Sequence, residues 1–139
     1  MTEKDTLTIM AMLSAYYGEG KSNARLMATA WHAILKDYNV SIAQQAVIRF
    51  AREDTRDYAT FPPPGKIVAA IEAEEKLRYG VFNALRARKN YDTLDDSYKS
   101  LISKERYEAA AMLPDEELDA GKDMFIQSLM PREVLKLEG

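Results

Sequence analysis

The stretch Phe61-Pro62-Pro63-Pro64-Gly65-Lys66-Ile67 divides this sequence into two helical regions. Three successive prolines remove backbone donors and favour extended conformations in the residues before them, so this segment cannot be helical. We predict an extended strap in which Phe61 packs on the helical core and residues 62–64 cross its surface. The last proline can open the next helix at its first position. That helix is predicted to reach about Arg88, with an apolar face formed by Ile67, Ala70, Ile71, Leu77, Val81 and Leu85.

Three helices are predicted before the strap from the spacing of apolar residues and from the residues at helix ends. The first covers about residues 4–17, and the second, which Ser22 can cap, ends near Tyr38. Ser41 and Gln44 have the spacing of a capping box and predict the start of the third. The predicted buried face of the first helix contains Ile9, Met12, Leu13 and Tyr16. That of the second contains Met27, Trp31, Ile34, Leu35 and Tyr38, and that of the third contains Ala43, Ala46, Val47, Phe50 and Ala51.

The charged run at 52–58 lacks an apolar face and is predicted to be a solvated connection. Beyond the long helix, shorter helices are predicted at about 95–101, 104–113 and 115–130. Strand signals are missing. The sequence therefore predicts an all-α fold, a small helical bundle with an extended Phe-Pro-Pro-Pro strap and a smaller C-terminal helical part. The two domains are expected to be residues 1–75 and residues 76–139, the second carrying a basic helix.

Composition limits the possible functions. The chain has 139 residues, no cysteine, one histidine and a formal net charge of −3. The lack of cysteine excludes disulfides, thiolate metal sites and a cysteine nucleophile, and it fits a reducing cytoplasm. The short apolar stretch near the N-terminus lacks the basic lead of a signal peptide and is too brief to span a bilayer. We expect a protein of the bacterial cytoplasm that makes no membrane contact.

Catalytic and metal-binding groups are not assembled by this sequence. His32 cannot build a two-histidine metal site alone and is expected to be a surface or structural residue. Gly65-Lys66 lacks the earlier glycine and the following Ser or Thr of a phosphate loop. The acidic residues at 95–96 and 115–117 are expected to complement helix dipoles rather than to bind a cation. We therefore expect no enzyme activity, no cofactor and no metal.

A basic strip lies between Lys76 and Lys89, with aromatic residues interleaved and no acid. Such a strip can contact a phosphate backbone. It can equally be the solvated face of a helix that pairs with acids elsewhere in the fold, because acidic residues predominate from Glu105 onward. The candidate nucleic-acid-binding residues are Lys76, Arg78, Arg86, Arg88 and Lys89.

Apolar residues are also concentrated near the C-terminus. They can belong to the core, or they can form an amphipathic element that docks in a partner's groove, where adaptable Met and Phe side chains are useful. The sequence leaves both interpretations open. The candidate partner-binding residues are Met124, Phe125, Leu129, Met130, Leu135 and Leu137.

The run Trp31-His32-Ala33-Ile34-Leu35-Lys36-Asp37-Tyr38, followed by a helix and by residues 61–67, resembles the phage replicative helicase loader and inhibitor family. The resemblance covers roughly residues 5–75. In the second half, the segment 125–129 places leucine where longer relatives have an aromatic residue. The resemblance implies a helical N-terminal domain, and it associates the C-terminal part with helicase contact.

The function implied by this resemblance is that of a phage or prophage protein that binds a DnaB-type hexameric replicative helicase. Such a protein holds the helicase inactive or loads it, with a replication initiator protein as a possible second partner. Two alternatives remain from other classes. One is a DNA-binding phage regulator that uses the basic strip, and the other is a virion-assembly chaperone.

Overall fold

Helices form the whole regular structure of the described residues, which are 1–18, 24–54 and 60–130. Over these ranges the computed structural model contains α-helices, one 3₁₀ turn and no strand, and it confirms the all-α prediction. The chain divides into two compact units, Met1–Glu74 and Glu75–Gly139. The long helix α4, Pro64–Arg86, crosses this boundary, so each unit is described by itself.

The first unit contains α1 (Glu3–Tyr17), α2 (Ala24–Leu35), α3 (Val40–Glu53) and the beginning of α4. Thr2 and Asp5 form a reciprocal capping box at the start of α1. The predicted capping box of α3 is wrong, because Asn39 is the cap and its side-chain oxygen accepts from the backbone N–H of Ile42. The predicted cap Ser22 lies outside the described residues, as do residues 55–58 of the predicted solvated connection.

The core of the first unit is formed by one face of each helix. Trp31 is only 3% exposed, as predicted. The prediction of burial is wrong for two residues, since Tyr16 is 53% exposed and Ile34 is 43% exposed. Ile42 is buried although it was not predicted. The fully or almost fully buried residues are Ile9, Leu13, Trp31, Leu35, Ala43, Ala46, Val47, Ile67 and Ile71.

The strap packs on this core through Phe61, as the sequence predicts. The ring of Phe61 meets that of Trp31 edge to face, with 5.8 Å between centroids, and Phe61 is half-buried. Pro62 is buried and therefore does not cross the surface, whereas Pro63 is exposed. Pro64 is the first residue of α4, which confirms its predicted role as a helix opener.

The second unit begins within α4 and continues through a 3₁₀ turn, Tyr91–Thr93, into four short helices. These are α5 (Asp96–Lys99), α6 (Lys104–Ala111), α7 (Asp115–Ala120) and α8 (Lys122–Ser128). The single helix predicted at 115–130 is thus wrong, since Gly121 separates two helices.

The C-terminal end of α4 differs from its predicted end at Arg88. Arg88 has a left-handed backbone with φ of 53°. Its N–H donates to the carbonyl of Leu85, and the N–H of Lys89 donates to that of Ala84. This pair of bonds is the Schellman arrangement that terminates helices, and here an arginine takes the place that glycine usually occupies.

The core of the second unit centres on two tyrosines whose hydroxyl groups donate hydrogen bonds to backbone carbonyls. Tyr91 and Tyr107 lie 5.5 Å apart between ring centroids. Tyr91 donates to the carbonyl of Ile102 and Tyr107 to that of Lys89, at 2.8 and 2.7 Å. Burial raises the pKa of Tyr107. The other buried apolar residues of this unit include Val81, Phe82, Leu85, Leu101, Ile102, Leu118, Ile126 and Leu129.

Candidate partner-binding surface

The last described helix, α8, is held in place by a buried arginine. Arg78 is 1% exposed, and its guanidinium donates to the carbonyls of Ile126, at 3.0 Å, and of Leu129. The last carbonyls of a helix lack the usual N–H donor four residues on. Arg78 supplies a donor to the Leu129 carbonyl and a second one to the Ile126 carbonyl, which also accepts from the backbone N–H of Leu129. Arg78 is therefore a structural residue, and its prediction as a nucleic-acid contact is wrong.

The six residues predicted to bind a partner fall into different environments. Leu129 is fully buried and belongs to the core, so it cannot be a surface anchor without unfolding. Met124 is 79% exposed, whereas Phe125 and Met130 are half-buried. Leu135 and Leu137 lie outside the described residues.

The outward side of α8 meets the start of α6 at one arginine. The Arg106 guanidinium lies over the ring of Phe125, with 5.6 Å between its central carbon and the ring centroid. It also donates to the hydroxyl and the carbonyl of Ser128. We call Arg106, Met124, Phe125 and Ser128 the α6–α8 surface. Arg106 was not predicted, because its sequence neighbours give no signal of a residue nearly twenty positions away.

A second cation–aromatic contact lies at the start of α8. The ammonium of Lys122 is 5.3 Å from the ring centroid of Tyr79 and 5.1 Å from that of Phe82. Phe82 in turn meets Phe125 edge to face at 6.0 Å. These contacts join α8 to the aromatic side of α4 and fix the position of the α6–α8 surface on the second unit.

The basic strip is largely neutralised within the second unit. Arg86 forms ion pairs with Asp115 and Asp119, at 2.7 and 3.1 Å. Arg88 forms one with Asp115 at 2.6 Å and also donates to the carbonyl of Leu113 at 2.8 Å. The hydrogen bond from Arg88, helped by both positive charges, lowers the pKa of Asp115. The hydrogen bond to Asp119 raises the pKa of Arg86.

The remaining members of the strip, Lys76 and Lys89, are exposed. With Arg78 buried and two arginines paired to acids, the five residues do not form one free basic surface. The strip is therefore a helix face that pairs with acids elsewhere in the fold, here Asp115 and Asp119 of α7, which is the second of the two interpretations that its sequence allows.

The remaining candidate sites are His32, the side chains that could hold a metal, and one cavity. His32 lies near Thr6, whose hydroxyl oxygen is 3.0 Å from the imidazole Nδ1, which fits the predicted structural role. No group of three or more His, Asp or Glu side chains that could hold a metal occurs in residues 1–18, 24–54 and 60–130. A cavity of about 350 Å³ lies beside α4 and α5, lined by Gly80, Asn83, Ala84, Lys89, Thr93, Leu94, Asp95 and Tyr98.

Comparison with known families concerns the first unit. A family model for the N-terminal domain of the phage gene 39 protein matches residues 1–68, slightly under half of the chain. Residues 1–68 are therefore similar to that N-terminal domain. The gene 39 protein is a phage protein of the helicase-loader and inhibitor type. The resemblance found in the sequence is thereby confirmed for the first unit.

The match to the gene 39 protein family includes the Trp31–Phe61 contact and ends five residues into α4. It does not extend to the α6–α8 surface. No curated protein and no solved structure is significantly similar to the chain. Among the described residues, none of the helices combines the length and apolar character that crossing a bilayer requires.

Proposed function

We propose that this chain is an adaptor that binds a DnaB-type hexameric replicative helicase and controls its loading or its activity. The observation that carries this proposal is the match of residues 1–68 to the N-terminal domain of the phage gene 39 protein. The partner class, the choice between loading and inhibition, and a replication initiator as second partner are parts of the proposal. The site of action would be the cytoplasm of a bacterial host.

The adaptor is proposed to hydrolyse no nucleotide itself. Its sequence lacks the glycine-rich loop and adjoining Lys-Ser/Thr that cradle nucleotide phosphates. It would therefore act by binding one conformation of the helicase better than another, since a ligand shifts an equilibrium only by its differential affinity. The helicase's own ATPase would then rise or fall with occupancy.

The DNA-binding alternative receives little support from the second unit. Arg86 and Arg88 are engaged by acids, and a phosphate would have to compete with Asp115 and Asp119 for them. Only the exposed Lys76 and Lys89 remain available from the predicted strip, and few phosphate contacts give weak binding at physiological salt. The family match likewise offers no support for a virion-assembly chaperone.

The test is direct binding of the full chain to a purified DnaB-type helicase from its host or phage. We expect association at micromolar concentration or tighter, with a change in the helicase's ATPase rate or in its loading on single-stranded DNA. A hexameric helicase of another family serves as the control. No association with the DnaB-type helicase, with or without nucleotide, would refute the proposal. Tight duplex binding by the chain alone would favour the regulator instead.

A further inference from the structure

The α6–α8 surface contains an arginine with no carboxylate partner in the described part of the chain. Arg86 and Arg88 both pair with acids, whereas Arg106 contacts the ring of Phe125 and the oxygens of Ser128. Arg106 is nevertheless exposed. It thus retains guanidinium donors and a full positive charge for another molecule.

This arginine is already ordered. Its guanidinium is held between the Phe125 ring and Ser128, and the Ser128 hydroxyl is itself fixed by donation to the carbonyl of Phe125 at 2.7 Å. A side chain that is immobilised before binding loses less entropy when a partner arrives. A planar guanidinium is also suited to paired hydrogen bonds with a carboxylate.

An exposed apolar side chain, Met124, lies on the same helix as the two residues that Arg106 contacts. Met124 is 79% exposed on α8 and precedes Ser128 by four residues, so the two side chains lie on neighbouring turns of one helix face. Phe125 adds a half-buried aromatic side chain. Arg, Met and aromatic residues are enriched at protein–protein interfaces, where a few such residues dominate the affinity.

We infer that the α6–α8 surface docks a polypeptide segment in which a carboxylate side chain stands beside an apolar one. The carboxylate pairs with Arg106, and the apolar side chain packs on Met124 and Phe125. A nucleic acid fits less well, because one of the four residues of this surface, Arg106, is cationic, whereas binding to a phosphate backbone draws on several cationic contacts. The inference rests on the proposed function in taking the helicase as the source of this segment.

The test compares variants of the full chain in binding to the DnaB-type helicase. Arg106→Gln removes the charge, and Met124→Glu places a charge on the anchor. Both residues are exposed, so the fold should persist, which circular dichroism checks. Met112→Glu is the matched control, because Met112 is 86% exposed and lies six residues past Arg106, about 9 Å along a helix.

We expect both surface variants to weaken binding at least tenfold, with the Met112→Glu variant within twofold of the wild type. The Arg106→Gln variant should also show a smaller loss of affinity between low and high salt than the wild type, since it lacks the charge that salt screens. Wild-type affinity in both variants would overturn the inference while leaving helicase binding intact. If the wild type itself binds no helicase, the proposed function is refuted. That result differs from the one that refutes the docking surface alone, so the experiment distinguishes the two.

Discussion

The Arg78 guanidinium on α4 donates to the carbonyl of Ile126 on α8 at 3.0 Å, across 48 positions of sequence. Replacing Arg78 by methionine removes this bond and the one to Leu129, leaving buried carbonyls without these donors. We expect the free energy of unfolding to fall by about 3 kcal/mol, given the usual cost of stranding buried acceptors. Urea denaturation measures the loss. Lys76→Met is the control, because an exposed lysine should change stability by less than about 0.5 kcal/mol.

The Trp31–Phe61 contact gives a second prediction. Phe61→Ala should destabilise the first unit by about 2 kcal/mol, less than the 3–5 kcal/mol of a fully buried phenylalanine, because Phe61 is half-buried. Thermal denaturation followed by tryptophan fluorescence measures this, since Trp31 is the one tryptophan of the chain. Pro63→Ala, at an exposed position of the same strap, is the control. An unchanged melting temperature for the Phe61→Ala variant would contradict the packing role of the strap.

The close contact of Gly80 with Tyr98 predicts that Gly80→Ala has opposite effects on stability when Tyr98 is present and when it is replaced. A Cβ on residue 80 would overlap the Tyr98 hydroxyl oxygen, so Gly80→Ala should displace that ring and lower the free energy of unfolding by about 1–3 kcal/mol. With Tyr98 replaced by serine the obstruction is gone, and the same change should stabilise α4 by up to about 1 kcal/mol because alanine is the better helix former. Denaturation of the wild type, the two single variants and the double variant measures both effects. Destabilisation in both backgrounds would place the obstruction elsewhere.

Asp115 predicts how acid affects the second unit. Its pKa lies below the ordinary 3.8, chiefly because it accepts a hydrogen bond from Arg88. A carboxyl with a lowered pKa in the folded state contributes stability above its unfolded pKa and loses it as pH falls through the folded value. The denaturation midpoint of the wild type should therefore fall as the pH is lowered below about 4. The midpoint of the Asp115→Asn variant should fall less over the same pH interval. An identical acid dependence in the wild type and the Asp115→Asn variant would show that the ion pair adds nothing.

The sequence predicted the elements of the fold better than it predicted their contacts. Trp31 and Leu35 are buried as predicted because their four-residue spacing defines the centre of a helix face. Ile34 lies at the edge of that face, and its burial depends on whether a neighbouring helix reaches it, which local spacing cannot tell.

The candidate site shows the same limit. An arginine among basic residues indicates an exposed strip, yet Arg78 is buried because carbonyls distant in sequence need its donors. Leu129 was ambiguous between core and surface, and only its packing decides for the core. Met124 is exposed, so its role as a partner contact stays a prediction. Arg106 is absent from the predicted site because the residues that it contacts, Phe125 and Ser128, are distant in sequence.

The passage of α4 from one unit into the other bears on how the first unit should be isolated. A fragment cut at residue 68, where the family match ends, would retain only five residues of α4, too short a piece to be a stable helix. It would also lose Ile71, which is fully buried, and Glu74, which forms a salt bridge with Arg49. A self-sufficient fragment must therefore extend beyond the homologous region and include a few turns of α4 past Glu74, where its new end can fray without opening the core.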